Sequence, residues 1–402
     1  MMRLLVLLLS VLLLSSAYAA DKEKTPAISP WLYKKLQKTE QLIAKKSYPQ
    51  AEKSLKAMLP EAKEKSYEQA LVLRSLSSVY ALNGRYKKAA EVLSKVIALK
   101  VLPKQQEQQA VLNLGQLYMA VEQYAKAIRV LEPWLASNST ADAQVNVLVA
   151  NAYAQLKKYH KALPFIKKAI ASSKKPVESW YQLNLALYYE LENYSSAANI
   201  LKKMIVFYAD KKEYWDQLAS TYQQLKQYKK AVSIKHLAYK KGFVSHEKKI
   251  LELVNLFLYV NSPYKAATVL KQAIASKKVK SSSKSWETLA HAWTMAKEFD
   301  QAIAALEIAS KLNEKGSLFQ QLGQIHVEQE QWSKAIASFN KALAKGGLKN
   351  TGSTYLMLGM SYYENKNIKR AKRAFLKAKQ YRKNSKAARQ WLDYIKIPEK
   401  AG

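Results

Sequence analysis

Residues 214–243 read YWDQLASTYQQLKQYKKAVSIKHLAYKKGF, and this stretch decides the fold. Trp215, Leu218, Ala219 and Tyr222 fall at i, i+3, i+4 and i+7, one stripe of a helix. A turn follows, and Tyr228, Ala231 and Ala238 mark the inner face of a second helix. The same set recurs downstream as Trp286, Leu289, Ala290, Trp293, Phe299, Ala302, Leu306 and Ala309. It returns as Phe319, Leu322, Gly323, His326, Trp332, Ala335, Phe339 and Ala342, and again as Tyr355, Leu358, Gly359, Tyr362, Ile368, Ala371, Phe375 and Ala378.

Upstream, Leu73, Leu76, Ser77, Tyr80, Tyr86, Ala89, Leu93 and Val96 fit the same template. So do Val111, Leu114, Gly115, Tyr118, Tyr124, Ala127, Leu131 and Trp134, and two further units centre on Tyr159/Ala162 and Tyr194/Ala197. The second-helix alanines stand at 89, 127, 162, 197, 231, about 266, 302, 335 and 371, a spacing of 33 to 38 residues. This pattern resembles the tetratricopeptide repeat (TPR), whose helix-turn-helix unit of about 34 residues carries W-x2-L-G-x2-Y and then Ala, Phe and Ala. The resemblance covers residues 70–382 in about nine copies. It implies an all-α superhelical solenoid of antiparallel helix pairs, each unable to bury its apolar stripe without its neighbours.

Some copies depart from the template. The unit starting near Trp180 has Asn184 where a small residue belongs, unless the register shifts by one and places Leu185 there. The unit around Tyr264 has Asn255 or Val254 at that contact and Pro263 in the turn, so the largest irregularity is expected near residues 242–265. The run KKVKSSSKS, residues 277–285, reads as an exposed loop. Residues 20–69 hold a linker and a degenerate first unit in which Tyr48, Ala51, Leu55 and Met58 match a second helix. Residues 383–397 form an amphipathic closing helix through Ala387, Trp391, Tyr394 and Ile395. Residues 20–29 and 397–402 are expected to lack order, the tail proper being 398–402.

Composition narrows the function. Of 402 residues only ten are Gly and ten Pro, and none is Cys, which excludes disulfides, thiolate nucleophiles and zinc-thiolate sites. The net charge of +36 is carried by lysine, with only eight arginines among 66 basic residues. Lysine acts as a hydrated point charge where arginine reads phosphate with a fork, so the charge favours diffuse attraction over specific nucleic-acid recognition. Arg3, the apolar run Leu4 to Leu14 broken by Ser10, and Ala17-Tyr18-Ala19 read as a signal peptide, residues 1–19, cut after Ala19 or Ala20. An uncleaved anchor is the competing reading, but the run is shorter than the roughly 20 apolar residues of a membrane span. The periplasm is the expected location.

No enzyme, cofactor or metal is expected. G-x-S-x-G, H-E-x-x-H and C-x-x-C are absent, and His160, His236, His246, His291 and His326 are scattered. His326 takes the place of Tyr in sister repeats, which packing explains. The Asn138-Ser139-Thr140 sequon has no role in a bacterial host.

What remains is surface. The TPR resemblance implies that first helices line a protein-binding groove. It places there Gln116, Met119, Gln144, Asn151, Gln155, Gln182, Tyr189, Asp216, Gln223, Gln320, Gln324 and Met360, mostly neutral amides. The two-carboxylate clamp of some chaperone-binding TPRs fails, because Val147 stands where a basic neighbour of Asn151 belongs. Lysines crowd the second helices and turns instead, as at Lys87/Lys88, Lys157/Lys158, Lys167/Lys168, Lys202/Lys203 and Lys229/Lys230. One basic patch stands out: Lys366, Lys369, Arg370, Lys372, Arg373, Lys377, Lys379, Arg382, Lys383, Lys386 and Arg389, with no acidic residue among them. It reads either as a solvated last repeat or as a dock for an acidic partner or an anionic membrane surface.

The stretches YEQALVLRSLSSVYALNGRYKKAAE, PVESWYQLNLALYYELENY and residues 214–243 give the chain a wider resemblance to exported TPR proteins associated with TonB-type energy transduction in Gram-negative bacteria. That resemblance implies a periplasmic scaffold that serves a TonB-dependent transport system by binding a segment of an envelope protein. A binder of anionic polymer or membrane through the lysine-rich exterior is the alternative.

Overall fold

The computed structural model describes residues 26–64, 66–137 and 143–395. Residues 1–19, the sequon and the tail lie outside the described residues. The chain divides into two compact units between Asn193 and Tyr194. Among the described residues the first unit holds α1 (Pro30–Ala44), α2 (Tyr48–Met58), α3 (Tyr67–Leu82), α4 (Tyr86–Ala98), α5 (Lys104–Ala120), α6 (Tyr124–Ser137), α7 (Ala143–Gln155), α8 (Tyr159–Ser172) and α9 (Glu178–Glu190). The second holds α10 (Tyr194–Phe207), α11 (Lys212–Gln224), α12 (Tyr228–Lys240), α13 (Glu247–Tyr259), α14 (Pro263–Ala275), α15 (Ser283–Met295), α16 (Phe299–Leu312), α17 (Gly316–Glu328), α18 (Trp332–Lys345), α19 (Thr351–Glu364), α20 (Ile368–Lys379) and α21 (Ser385–Tyr394). No strand occurs among the described residues. Each unit is an all-α TPR stack, and within it each odd-numbered helix packs on the even-numbered helices beside it.

Every turn from a first helix to a second closes the same way. The penultimate turn residue is left-handed at Lys46, Gly84, Glu122, Lys157, Glu192, Lys226, Asn261, Lys297, Glu330 and Lys366. The next N–H reaches back to the tyrosine-position carbonyl, as from Gln227 N to Tyr222 O at 2.8 Å and from Gln331 N to His326 O at 2.8 Å. This is a Schellman ending, which satisfies the last helical carbonyls and normally selects glycine at the left-handed place. Here only Gly84 is glycine, so nine turns carry the steric cost of a β-carbon at positive φ.

Within a pair, a small residue on the first helix faces a large one on the second. A β-carbon added to Gly115 would stand 2.4 Å from Leu131 Cδ2, and one on Gly359 would stand 2.6 Å from Phe375 Cδ1. Leu131, Phe339 and Phe375 are fully buried at these contacts. Interiors are close-packed, so this pairing sets how near the two helix axes approach.

Several departures resolve physically. Counting back from Tyr194 as from Tyr228, Leu185 stands at the place of Ala219 and Asn184 at that of Leu218, so the shifted register is the one adopted. Both are buried, and Asn184 Oδ1 has no hydrogen-bond partner among the described residues. Of the two residues considered for the α13 contact, Val254 is fully buried and Asn255 is exposed. The irregularity expected at 242–265 begins earlier. Where sister second helices bury Leu93, Leu270 or Phe339, α12 has a half-buried Lys235, with Leu237 exposed beside it. Pro263 is the first residue of α14 rather than a turn residue, because its fixed φ and missing N–H suit that position.

Three expectations need correction. The exposed loop at 277–285 is shorter: Val279 is buried, Ser283 opens α15, and Ser285 is buried with its Oγ donating to Lys280 O at 2.8 Å. The stretch expected to lack order up to residue 29 is tied at its end, since Ser29 N donates to Glu68 Oε1 at 2.6 Å and Ile28 packs on the first core. In α21 the buried residues are Ala388 and Leu392 rather than Ala387 and Tyr394; Tyr394 is exposed. Trp391 is half-buried and stacks face to face on Phe375, with centroids 5.4 Å apart and planes 8° apart.

Candidate functional site: the first-helix faces

Within each unit successive first helices touch, α5 with α7 and α7 with α9 in one, α17 with α19 in the other. Side chains beside the packing stripe therefore form a continuous face across neighbouring repeats. In the first unit this face carries Gln116, Met119, Asn151 and Tyr189, all half-buried, and Gln144, Gln155 and Gln182, all exposed. In the second unit Gln320 and Met360, half-buried, and Gln324, exposed, share the α17–α19 face, while Gln223, half-buried, and Asp216, exposed, stand on α11. Seven of the twelve residues thus belong to the first unit and five to the second.

Some of these amides are already engaged. Gln320 Nε2 donates to Thr354 Oγ1 at 2.9 Å on the next first helix, and Asn151 Nδ2 donates to Val147 O at 3.0 Å within its own helix. The first stitches α17 to α19, and the second turns Asn151 back on its own backbone.

Reading by sequence missed Arg74. It occupies in α3 the place that Asp216 occupies in α11, one residue after the first stripe position, so the rule that selected Asp216 selects it too. Arg74 is half-buried, and its Nη1 donates to Gln106 Oε1 on α5 at 2.9 Å. Gln106 is held in turn by Tyr67, with Nε2 donating to the Tyr67 hydroxyl at 2.9 Å. A cavity of about 30 Å³ lies against Arg74, Ser77, Ser78, Asn113 and Gln116. Burial lowers the Arg74 pKa, yet a guanidinium keeps its proton throughout the physiological range.

The histidines do not assemble. His160, His246 and His291 are exposed, and His236 lies edge-on to Phe257 at 5.2 Å. His326 is buried, with Nδ1 3.1 Å from Gln331 Oε1, and burial lowers its pKa. Among the described residues no three His, Asp or Glu side chains gather as metal ligands.

Charge lies elsewhere. The lysine pairs at 87/88, 157/158, 167/168, 202/203 and 229/230 are all exposed on second helices or turns. All eleven basic residues from Lys366 to Arg389 are exposed, and none forms an ion pair among the described residues. Ile368 and Leu376 are exposed among them.

Two family models, both described as tetratricopeptide repeat, match residues 112–176, and 212–234 with 352–385. The chain therefore carries tetratricopeptide repeats. A search of curated proteins found no match. Among solved structures, MamA from Desulfovibrio magneticus RS-1 is 19% identical, covering 46% of this chain and 99% of its own, with a TM-score of 0.39. A tetratricopeptide repeat protein from Parabacteroides merdae is 14% identical over 83% of this chain and 99% of its own, with a TM-score of 0.40. YrrB, described as a TPR protein with an unusual peptide-binding site, is 16% identical over 48% of this chain and 98% of its own, with a TM-score of 0.36.

Proposed function

We propose that this chain is an exported, non-catalytic scaffold that binds a segment of an envelope protein on a first-helix face. Its place in the periplasm rests on the signal-peptide pattern of residues 1–19. Its role as an accessory to a TonB-dependent transport system rests on the resemblance of the repeat stretches. The observation that carries the binding reading is the contrast between faces. The first-helix face of the first unit offers amides and half-buried Met119 and Tyr189, while the paired lysines are exposed on second helices and turns. Neutral amides and apolar side chains hold an extended peptide by backbone hydrogen bonds and small pockets.

The test is affinity capture from periplasmic extract at low and high salt. The proposal expects one envelope protein to remain bound at high salt, with TonB, ExbB, ExbD or a TonB-dependent receptor among the captured species. Loss of every protein at high salt would sink the groove reading, and capture of unrelated proteins only would sink the TonB association.

A second reading follows from the eleven exposed cations of α20, α21, their connection and the turn before α20. These would hold an anionic membrane surface or polymer, and such binding weakens steeply with salt. Recovery of anionic lipid or polymer alone, at low salt alone, favours that reading.

A further inference from the structure

The two faces of α20 differ sharply. Ala371, Ala374, Phe375 and Ala378 fall at i, i+3, i+4 and i+7 and are buried. The opposite stripe has the same spacing and reads Lys369, Lys372, Arg373 and Leu376, all exposed. No acidic residue stands between Glu364 and Asp393, and α18, the preceding second helix, has none either. Lys369, Lys372 and Arg373 form no ion pair among the described residues. Arg370, Arg373, Arg382 and Arg389 also put half of the chain's eight arginines in this segment, and a guanidinium fork suits phosphate. Leu376 is the unexpected member of the stripe. It stands ten residues after a left-handed turn residue, a place held on other second helices by Glu132, Lys167, Lys271 and Glu307. Leu376 is nevertheless 46% exposed among the cations, and Ile368, at the start of the same helix, is 44% exposed. Cations around an exposed apolar side chain match a surface where phosphates overlie a hydrocarbon layer.

We propose that the outer stripe of α20 docks on an anionic lipid bilayer, with Lys369, Lys372 and Arg373 against headgroup phosphates and Leu376 inserted at the headgroup–acyl boundary. This rests on the second reading above and selects the bilayer over a soluble polymer. Leu376 makes the selection, because a polyanion in water offers charge alone, while a bilayer offers charge and an apolar layer a few ångströms beneath it. Charge complementarity supplies the attraction, since each basic side chain near an anionic leaflet adds to binding within about one Debye length. The long stems of lysine and arginine let their charged ends stay at the headgroups while Leu376 goes deeper. The helix lies along the surface, because its inner stripe remains buried in the last repeat.

The full chain is titrated with vesicles of phosphatidylcholine alone and of phosphatidylcholine mixed with phosphatidylglycerol, and binding is read by co-sedimentation at about 0.1 M salt. Polyphosphate and polyglutamate serve as soluble polyanion probes. Wild type is expected to bind the anionic vesicles about tenfold or more tightly than the neutral ones. The triple variant Lys369→Gln, Lys372→Gln, Arg373→Gln loses most of that preference. A control triple, Lys87→Gln, Lys88→Gln, Lys161→Gln, removes three exposed charges from other second helices and keeps it. Leu376→Ser weakens vesicle binding about threefold or more and leaves polyanion binding unchanged. All of these side chains are exposed, so the fold tolerates the substitutions. Equal losses in the two triple variants assign adhesion to the whole exterior and overturn the site. Undiminished vesicle binding by Leu376→Ser overturns the insertion and with it the choice of a bilayer. Binding to either polyanion without binding to anionic vesicles overturns the bilayer while leaving the second reading intact. Absence of binding to vesicles and polyanions alike overturns both.

Discussion

Gly323 and Phe339 occupy one space: a β-carbon on Gly323 would lie 2.5 Å from Phe339 Cε1 and 2.6 Å from its Cδ1. Phe339 is fully buried and has no open side to move toward. The pair fixes the spacing of α17 and α18, and its geometry is repeated at Gly359 with Phe375.

Gly323→Ala should therefore destabilise the second unit by about 1–3 kcal/mol, the usual cost of overpacking a filled core. Adding Phe339→Leu should recover part of that loss, because the smaller side chain vacates the space the new methyl needs. Urea unfolding of the single and double variants checks this; additive losses in the double variant would contradict the shared-space account.

The nine non-glycine Schellman turns make the opposite prediction. Lys226 sits at φ 57° with its N–H bonded to Gln223 O at 2.9 Å, a geometry that glycine adopts without strain. Lys226→Gly should raise stability by about 0.5–1 kcal/mol, the relief at positive φ exceeding glycine's extra unfolded-state entropy. A lower thermal midpoint for this variant would show that the lysine side chain contributes more than its backbone costs.

Glu52 links the degenerate first repeat to the next. Lys56 Nζ stands 2.8 Å from its carboxylate, Arg85 Nη1 reaches it at 2.6 Å, and the Tyr80 hydroxyl donates to it at 3.1 Å. The hydrogen bond from Lys56, assisted by Arg85 and Tyr80 and opposed by burial, holds its pKa down at about 2 against an ordinary 4.5. A depressed carboxyl stabilises the fold fully above the unfolded value and loses that contribution as pH falls from 4.5 toward about 2. Glu52→Gln should cost about 1 kcal/mol at neutral pH, since Lys56 is exposed and screened. Its deficit against wild type should shrink as pH falls through that window, and a deficit constant with pH would assign the loss to packing instead.

Trp391 closes the last repeat by stacking on Phe375, with Tyr363 at 5.5 Å on the same indole. Trp391→Ala should cost about 2–3 kcal/mol and open the end of the array first. Hydrogen exchange is the measurement: amides of α20 should lose protection while those of α15 and α16 keep theirs.

Most of the repeat framework is legible in the sequence, because periodic stripes such as Trp215, Leu218, Ala219 and Tyr222 report burial directly. The face residues were less so. Asp216 and Arg74 hold equivalent places, yet only the structure shows that one is exposed and the other is clamped by Gln106 against a cavity. Burial does not separate Asn184 from Leu185, since both are buried; their register follows from the spacing to Tyr194, which matches that of Ala219 to Tyr228. The left-handed turn residues gave no signal either, since lysine, glutamate and asparagine fill a place where glycine is the usual mark.

By itself the sequence determined the class of element, the repeat length and the distribution of charge. Those depend on local periodicity and composition, which a chain carries whatever its neighbours do. Tertiary structure alone decided the rest. Whether a glycine meets a phenylalanine ring, whether a tryptophan stacks or faces solvent, and whether an arginine finds a counter-charge all depend on residues from another helix. Such contacts are set by close packing in space, and a pattern along one chain does not contain them.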